Sequence, residues 1–490
     1  MNTPAQIIPL FRRGDDDPKA AGHADAQAKR CLAAGDLAGA VRYWRKALTL
    51  SAQGTEIRFN LARALTDLGR GEAAEALYLD LIRAVPGHAD ALYNLGNLRL
   101  RCGDARGAVH WYRRAVAAAP EKQEPRLNLG MALKSAGRPA DAEAVYRETT
   151  RRWAGCAEAH WNLAVLLLSQ GRWAEGFAEY QWRLKRFEVP GFQDASPWWD
   201  GRPAPDRHLL LWAEQGVGDA IHFLRYVPAA AARAGRVTVC CHPGLKSLAR
   251  RAVGVDRVLA FGESLPAFDL HAPLMSLPHL LGRPEPVASW QGPYIDAPLS
   301  PVPPRIAPGR CTVGLVWSGN PDFVDNARRA CPPDLLRPLV DCPGAIFYAL
   351  QKGAAAESAG KAALGDRVHD LAPGLNDFAD TAGAIARLEM IVTVDTAVAH
   401  LAGAMGKPVW VMLHHAPDWR WLGTGETTAW YPTMRLFRQK TPGDWQPVIR
   451  EIRRALALKA GPGMARCGVI HDRVSTPAAP VPQTQGRGHE

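Results

Sequence analysis

The sequence predicts an all-helical superhelix followed by an α/β region of two parallel-sheet domains. A period of 34 residues runs through the chain up to about residue 187. Two later stretches, 209–222 and 391–413, each have the pattern of a buried strand, a turn and a helix. Because helical repeats and strand–helix alternation are typical of different architectures, the chain divides into a repeat array and an α/β region.

The period of the array is visible in three registers. They are the asparagines Asn60, Asn94, Asn128 and Asn162, the glycines Gly35, Gly69, Gly103, Gly137 and Gly171, and the aromatic residues Trp44, Tyr78, Tyr112, Tyr146 and Tyr180. A period of this length predicts about five helix–turn–helix units, with the glycine in the turn and the aromatic residue in the second helix. Such units bury their apolar faces only by stacking, which predicts a superhelix with a concave groove.

These registers resemble the tetratricopeptide repeat. A side-chain amide both donates and accepts, so a row of asparagines is able to bond the backbone of an extended polypeptide. The same ladder holds protein substrate in the eukaryotic O-linked N-acetylglucosamine transferase. The resemblance therefore implies a protein-substrate groove lined by Asn60, Asn94, Asn128 and Asn162. The alternative is that these asparagines cap or solvate their helices.

Tryptophan is concentrated at the end of the array and just after it. The positions are Trp153, Trp161, Trp173, Trp182, Trp198 and Trp199. Large aromatic side chains dominate contacts of this kind, so we expect them to pack the last repeat onto the α/β region. An exposed binding patch is the alternative.

The first strand–helix corner follows a connector rich in proline and tryptophan. Residues 209–212 predict a strand, and the next helix is expected to begin near Asp219. Gly216 and Gly218 in the turn allow the backbone to approach a ligand closely, although two glycines are too few for a dinucleotide fingerprint. Since open α/β sheets bind ligands beyond the carboxyl ends of their strands, Asp219 is expected beside a ligand.

The second corner lies at residues 391–400. Residues 391–394 form an apolar, β-branched run that predicts a strand, and Asp395 is expected to be the N-cap of the next helix. Thr396 and His400 lie one turn apart on one face of that helix. A helix N-terminus that follows a strand attracts phosphate, which predicts an anion site here. The alternative is an ordinary strand–helix unit in which His400 is a structural histidine.

Both corners resemble motifs of one enzyme superfamily. Residues 218–222 resemble the opening motif of the ADP-heptose transferases, and residues 395–400 resemble the donor-site motif of the same enzymes. Residues 209–445 are similar to bacterial proteins that join tetratricopeptide repeats to a glycosyltransferase of this superfamily, including flagellin glycosyltransferases. The resemblance implies a GT-B architecture, in which two Rossmann-like halves face each other across the active site.

The repeat, the two corners and the local composition predict the domain boundaries. They are a disordered N-terminus at 1–19, a repeat array at 20–187, a connector at 188–206, a first Rossmann-like domain at 207–297, a proline-rich hinge at 298–309, a donor-binding domain at 310–459 and a disordered tail at 460–490.

The resemblance also implies a chemistry. Sugar transfer to a hydroxyl needs a base for the acceptor proton and stabilisation of the departing phosphate. The resemblance assigns Asp219 as the general base. It assigns donor contacts to Gly216, Gly218, Asp395, Thr396, Ala397 and His400. In this pattern helix N-termini and basic side chains stabilise the phosphate, and no metal is expected; the adjacent His414 and His415 have no third ligand spaced to help them.

Three further residues are expected near the donor. Ser318 and Asn320 follow a predicted buried strand and are small polar residues suited to a phosphate or acceptor contact. Lys352 ends another predicted strand, where its ammonium would neutralise a diphosphate. The alternative is a solvated lysine that begins a loop. The segment 410–421 is expected to cover a nucleotide base.

One loop departs from the pattern of the relatives. Phe323 stands where they have histidine, Asp325 and Asn326 are in reversed order, and Ala330 replaces a serine. The departure leaves open whether the transferase half is active.

Composition restricts the partners and the compartment. A net charge of +11 and a pI near 9.3 favour an anionic partner, such as a nucleotide sugar, a nucleic acid or an acidic protein. The arginines are dispersed rather than gathered in the dense block of a nucleic-acid arm, so no nucleic acid is expected. Nine cysteines without a CxxC pair indicate a reducing compartment. No signal peptide and no long apolar run is visible, so we expect a cytoplasmic protein with no membrane span.

The hypothesis is a metal-independent glycosyltransferase that needs no cofactor and uses a nucleotide sugar as co-substrate. Its acceptor would be Ser or Thr of a protein held by the repeats, with flagellin as the candidate. Two alternatives remain. One is a repeat scaffold with a degenerate, inactive transferase domain, and the other is a transferase whose acceptor is a glycan or a lipid.

Overall fold

The computed structural model describes residues 17–51, 54–187, 196–290, 292–298 and 310–459. The predicted disordered tail and nearly all of the predicted disordered N-terminus and proline-rich hinge lie outside the described residues, as does the first part of the predicted connector.

The N-terminal region consists of helices that pack in successive pairs. They are Pro18–Ala33 (α1), Leu37–Leu50 (α2), Thr55–Asp67 (α3), Gly71–Ala84 (α4), Ala89–Arg101 (α5), Ala105–Ala118 (α6), Glu124–Ser135 (α7), Pro139–Arg152 (α8), Ala157–Ser169 (α9) and Trp173–Glu179 (α10). Each pair also packs against the next pair, as stacked repeats require. The predicted helical repeat is confirmed.

The periodic residues explain why these helices pair. The turn glycines all have a positive φ between 72° and 80°, a backbone conformation that costs a side chain energy. The periodic aromatic residues are at most 1% exposed. A Cβ atom placed on Gly130 of α7 would lie 2.3 Å from the ring of Tyr146 in α8. A glycine in the first helix therefore lets the aromatic residue of the second helix pack against its backbone.

A first parallel sheet follows the array. Its elements are Arg183–Arg186 (α11), Ala204–Trp212 (β1), Val217–Phe223 (α12), Val227–Ala231 (α13), Ala234–Cys241 (β2), Lys246–Ala249 (α14), Arg257–Ala260 (β3), Leu270–Pro273 (β4), Leu277–Leu280 (α15) and Pro286–Ser289 (α16). The strand order is β3-β2-β1-β4, and every pair is parallel. The last four residues of β1 are fully buried, as expected of a strand covered on both faces.

A second parallel sheet completes the described chain. Its elements are Cys311–Val316 (β5), Asn326–Arg329 (α17), Arg337–Val340 (α18), Ala345–Ala349 (β6), Ala354–Leu364 (α19), Val368–Asp370 (β7), Phe378–Arg387 (α20), Met390–Val394 (β8), Ala397–Ala404 (α21), Val409–Leu413 (β9), Met434–Arg438 (β10) and Gln446–Lys459 (α22). The strand order is β10-β9-β8-β5-β6-β7. The predicted α/β class with parallel strands is confirmed. In each sheet the carboxyl ends of all strands lie at one edge, which is where such sheets bind ligands.

One hydrophobic core runs from the last repeat into both sheets. It contains Leu168 and Phe177 of the array, Leu209 of β1, Ala399 of α21 and Val411 of β9. The last repeat is therefore packed as part of the α/β region.

The tryptophans at this seam have different roles. Trp173 lies with its ring centroid 5.1 Å from that of Trp430, as predicted for a residue that packs the array onto the next domain. Trp182 instead stacks on His160 within the array, and Trp153 lies against Arg152. The prediction is thus wrong for Trp153 and Trp182, because their neighbours are residues of the array.

Candidate functional site

The two strand–helix corners meet where α12 packs against α21. A Cβ atom on Gly218 would lie 3.1 Å from Cδ2 of His400 and 3.3 Å from Cα of Ala397. The missing side chain at residue 218 lets the two helices approach closely. The fold thus brings Gly218, Ala397 and His400 together, one from the first sheet and two from the second.

Asp219 lies in the first turn of α12 and is fixed by two hydrogen bonds. Its Oδ2 accepts from the backbone N–H of Gly216 at 3.1 Å, and its Oδ1 accepts from Nη2 of Arg420 at 2.6 Å. Arg420 also donates to Oδ1 of Asp418 at 2.8 Å. The side chain of Asp219 is 22% exposed, so one side of the carboxylate is open to a ligand.

Arg420 is a buried cation held by two carboxylates. Burial by itself lowers the pKa of its guanidinium, but Asp418 and Asp219 outweigh that effect and raise the pKa. The guanidinium also lies over the ring of Trp419, 4.2 Å from the ring centroid. Arg420 therefore stays charged, and its hydrogen bond orients the carboxylate of Asp219.

Asp395 is buried at the end of β8 and faces Arg329. The distance from Nη1 of Arg329 to Oδ2 of Asp395 is 3.4 Å, and this oxygen has no hydrogen-bond donor among the described residues. Burial raises the pKa of Asp395, while the charge of Arg329 acts in the opposite direction. Asp395 was expected to be the helix N-cap, but the N-cap of α21 is Thr396. The prediction was wrong by one residue because the Asp395 side chain points to Arg329.

His400 and His222 share one hydroxyl group. Nδ1 of each imidazole lies 3.0 Å from the Tyr431 hydroxyl. A hydroxyl has a single proton, so it donates to one imidazole and accepts from the other. His400 also stacks on Trp421, with ring centroids 5.2 Å apart. Burial lowers the pKa of both histidines well below the ordinary value, so both rings are neutral.

Ser318 lies at the carboxyl end of β5, close to the second corner. Oε1 of the buried Gln351 accepts from the backbone N–H groups of Trp317 and Ser318, and its Nε2 donates to the Ser318 carbonyl. A Cβ atom on Gly319 would lie 3.7 Å from Thr396. Gln351 thus fixes a polar loop beside the start of α21.

Asn320 and Lys352 have other surroundings. Asn320 is exposed, and its Oδ1 accepts from the backbone N–H of Asp322. Nζ of Lys352 donates to the carbonyl of Ala372 at 3.0 Å, and the side chain is 54% exposed. β6, which precedes Lys352, is separated from β8 by β5. Among the described residues, neither side chain forms a hydrogen bond or ion pair with Asp395 or Thr396.

The predicted asparagine ladder occupies one position on the first helices of four repeats. Nδ2 of Asn94 donates to the carbonyl of Asp90 at 2.8 Å. Nδ2 of Asn128 donates to the hydroxyl of Tyr93 and to Oδ1 of Asn97. Asn60 and Asn162 are likewise partly exposed. Two members of the ladder therefore bond their own array, and all four are partly exposed.

Sequence reasoning missed the residues that hold the corner together, namely Arg329, Arg420 and Tyr431. The segment 410–421 was expected to cover a base, yet Trp419 packs on Phe177 of the array and Trp421 packs on His400. One signal was available, since Arg420 stands between two tryptophans, a pattern that indicates a cation packed among aromatic rings. Its partner Asp219 lies about two hundred residues earlier, and one sequence does not show that pairing.

Neither a metal site nor a membrane-spanning helix is found among the described residues. No group of three or more His, Cys, Asp or Glu is placed to hold a metal ion in the part of the chain that the structure describes. Among the described helices, none combines the length and the apolar character that crossing a membrane requires.

Repeat models and one curated relative match this chain. Three models of the tetratricopeptide repeat match residues 32–98, 91–126 and 127–182. Protein FlbA of Caulobacter vibrioides is 28% identical over 304 residues, which cover 55% of this chain and 49% of FlbA. The chain thus spans about half the length of the curated relative that it matches.

Several solved structures are similar to about a third of this chain. MamA from Desulfovibrio magneticus is 21% identical, with a TM-score of 0.32 over 36% of this chain and 98% of that one. A tetratricopeptide repeat protein from Parabacteroides merdae is 16% identical, with a TM-score of 0.33 over 34% of this chain and 67% of that one. A thermophilic tetratricopeptide repeat protein from Thermus thermophilus is 23% identical, with a TM-score of 0.28 over 34% of this chain and 91% of that one.

Proposed function

We propose that this chain is a GT-B glycosyltransferase that moves a sugar from a nucleotide-sugar donor to Ser or Thr of a protein held by the repeat groove, with flagellin as the candidate acceptor. The observation that carries the proposal is the meeting of two strand–helix corners. A carboxylate, Asp219, and a helix N-terminus, that of α21, lie at one junction between two parallel sheets. These are the two groups that sugar transfer to a hydroxyl needs.

The chemistry follows from these groups. Asp219 accepts the proton of the acceptor hydroxyl, whose oxygen bonds to the anomeric carbon of the sugar. The bond from that carbon to the phosphate oxygen breaks, and the nucleotide leaves with the electron pair. Neutral His400 can form a hydrogen bond but brings no charge. Positive potential at the leaving phosphate must therefore come from Arg329, Arg420 and the N-terminus of α21.

A substitution of Asp219 tests the assignment of the base. We expect Asp219→Asn to lower sugar transfer by about 100-fold or more, since a general base contributes on that order. The measurement is intact-mass analysis of flagellin co-expressed with the variant. Asp206→Asn, which changes an exposed carboxylate in β1, is the matched control and should leave transfer unchanged. Full activity of a folded Asp219→Asn variant would remove the assignment.

A specific observation favours a second candidate, a binding scaffold with an inactive transferase half. The charges at the corner are already paired within the chain, Asp219 with Arg420 and Asp395 with Arg329. Thermal unfolding with CMP-, UDP-, GDP- and ADP-linked sugars separates the two candidates. A donor at a hundred times its Kd should stabilise an enzyme by about 2.7 kcal/mol, whereas a scaffold gains nothing from any donor.

The third candidate keeps the enzyme but changes its acceptor to a glycan or a lipid. In that case a donor stabilises the protein, while co-expressed protein partners keep their unmodified mass. The two measurements together therefore assign each candidate a different result.

A further inference from the structure

Arg329 has a guanidinium with unused hydrogen-bond donors. Its Nε atom is buried and has no hydrogen-bond partner among the described residues. Its Nη1 atom lies 3.4 Å from Oδ2 of Asp395, and that buried oxygen has no hydrogen-bond donor among the described residues either. Because buried polar groups are almost always paired, a donor and an acceptor without partners at one place indicate a binding function.

The other arginine of the corner is already in use. Arg420 donates from Nη1 to Asp418 and from Nη2 to Asp219. A ligand that reached these nitrogens would have to replace two hydrogen bonds, whereas a ligand that reaches Nε of Arg329 replaces none. The side chain of Arg329 is also 22% exposed, against 6% for Arg420. Of the two arginines, Arg329 is therefore the one that is suited to contact a ligand.

Arg329 lies beside the N-terminus of α21. Its ion-pair partner, Asp395, directly precedes Thr396, which is the N-cap of that helix. The loop that leads to Arg329 reaches the same place, since a Cβ atom on Gly319 would lie 3.7 Å from Cγ2 of Thr396. A helix N-terminus attracts phosphate, and a guanidinium binds phosphate through two parallel hydrogen bonds. The two groups together favour a phosphate over a neutral ligand.

The loop that carries Arg329 contains two of the residues that depart from the pattern of the relatives, and both support it. The guanidinium lies over the ring of Phe323, with Cζ 4.6 Å from the ring centroid. Asn326 fixes the loop, since its Oδ1 accepts from the N–H of Gly319 at 2.9 Å and its Nδ2 donates to Oγ of Ser318 at 3.3 Å. An aromatic face stabilises a cation without an acceptor atom, so Phe323 leaves the N–H groups of Arg329 to a ligand.

We propose that Arg329 binds the phosphate of the nucleotide directly and that Phe323 positions the guanidinium for this contact. The contact rests on the proposed function, because it concerns the phosphate of the same donor. As a carboxylate, Asp395 would repel a phosphate. Burial raises the pKa of Asp395, while the charge of Arg329 acts in the opposite direction. A phosphate bound to Arg329 weakens that opposing effect, so Asp395 becomes a neutral acid beside the bound anion.

Nucleotide binding by the full-length chain tests the contact. The probes are UDP, GDP, ADP and CMP, and isothermal titration calorimetry gives the Kd. Loss of Arg329 alone would leave Asp395 as a buried charge without its partner, so the comparison is made in Asp395→Asn. We expect Asp395→Asn to lower the Kd, because the repulsion is removed. The further change Arg329→Gln should raise the Kd by about 10- to 100-fold, since hydrogen bonds to a charged group are lost.

Arg328→Gln in the same background is the matched control. Arg328 belongs to the same helix, α17, but its side chain is 79% exposed and its ion-pair partner is Asp325. We expect this change to leave the Kd as it is in Asp395→Asn alone.

Two variants of Phe323 test its positioning role. The residue is 46% exposed, so its replacement should change the free energy of unfolding little. We expect Phe323→Leu to raise the Kd by about 2- to 5-fold, the loss of one interaction between a cation and an aromatic ring. Phe323→Tyr keeps the ring and should bind as the unmodified chain does. An unchanged Kd in Phe323→Leu would overturn the positioning role.

The results that would overturn the phosphate contact also separate it from the proposed function. An unchanged Kd on adding Arg329→Gln, an equal effect of Arg328→Gln, or loss of binding in Asp395→Asn would overturn the contact and leave a nucleotide-binding enzyme standing. Displacement of the nucleotide by an equal concentration of inorganic phosphate would show that Arg329 takes free phosphate instead. If no nucleotide binds the unmodified chain, both the contact and the proposed function are overturned.

Discussion

The joints between repeats inside the array and the joint between the last repeat and the α/β region use the same periodic aromatic residue in different ways. Tyr146 packs on Gly130 within the array. Tyr180, at the same point of the period, packs on Trp161 of the array and also lies with its ring centroid 6.1 Å from that of Trp419 in the α/β region. The last repeat therefore packs against both the array and the α/β region. Residues at the same point of the period need not make the same contacts in all five repeats.

The ion pairs at the seam and inside the array also differ, in this case in burial. Arg183 is fully buried at the seam, where it donates to both carboxylate oxygens of Glu214 and to the hydroxyl of Ser276. Arg147 inside the array binds Glu143 and Glu175 and is 40% exposed. Since a surface pair gains little and a buried charge without its partner costs much, the two arginines should contribute unequally.

The largest expected effect comes from breaking the buried pair. Arg183→Ala leaves Glu214 as a buried charge without its partner and should lower the free energy of unfolding by about 3 to 5 kcal/mol. Arg147→Ala is the matched control and should lower it by about 1 kcal/mol or less. Chemical denaturation followed by circular dichroism measures both. Equal losses would show that the buried ion pair stabilises the seam no more than the exposed ion pairs stabilise the joints within the array.

How far the sequence predicts the structure also differs between these regions. The array could be predicted because its information is local: the glycine, the aromatic residue and the asparagine return at one spacing. The strands could be predicted from apolar runs, as at 391–394, where the structure has Met390–Val394. Nothing local predicts that Arg420 binds Asp219 or that Tyr431 joins two histidines, because each partner comes from a different corner of the fold.

A second prediction concerns the hydroxyl between the two sheets. Tyr431→Phe removes the partner of both imidazoles and leaves buried nitrogen atoms without it. The free energy of unfolding should fall by about 1 to 3 kcal/mol, the cost of an unsatisfied buried polar group. Tyr146→Phe is the control, since its buried ring packs within the array and its hydroxyl joins no pair of histidines, and it should change the free energy little. A loss of the same size in Tyr146→Phe would mean that the hydroxyl shared by the two histidines contributes no more to the free energy of unfolding than the hydroxyl of Tyr146.

The smallest expected effect comes from replacing the glycines in the turns between the two helices of a repeat. Gly137 has a φ of +74°, and a Cβ atom added there would meet no other atom within 4 Å, so Gly137→Ala should cost about 1 to 2 kcal/mol through backbone strain alone. Gly171, at the seam, has a φ of +76° and only ordinary contact with Trp173, so the same substitution there should cost as much. Gly22→Ala, inside α1 where nothing is crowded, should instead stabilise by about 0.5 to 1 kcal/mol. Chemical denaturation measures all three variants. Equal losses of free energy of unfolding in Gly137→Ala and Gly171→Ala, with unequal losses in Arg183→Ala and Arg147→Ala, would have two consequences. The conformation of the turn would depend on local sequence in every repeat. The seam would then differ from the other joints only in the contacts that its helices make.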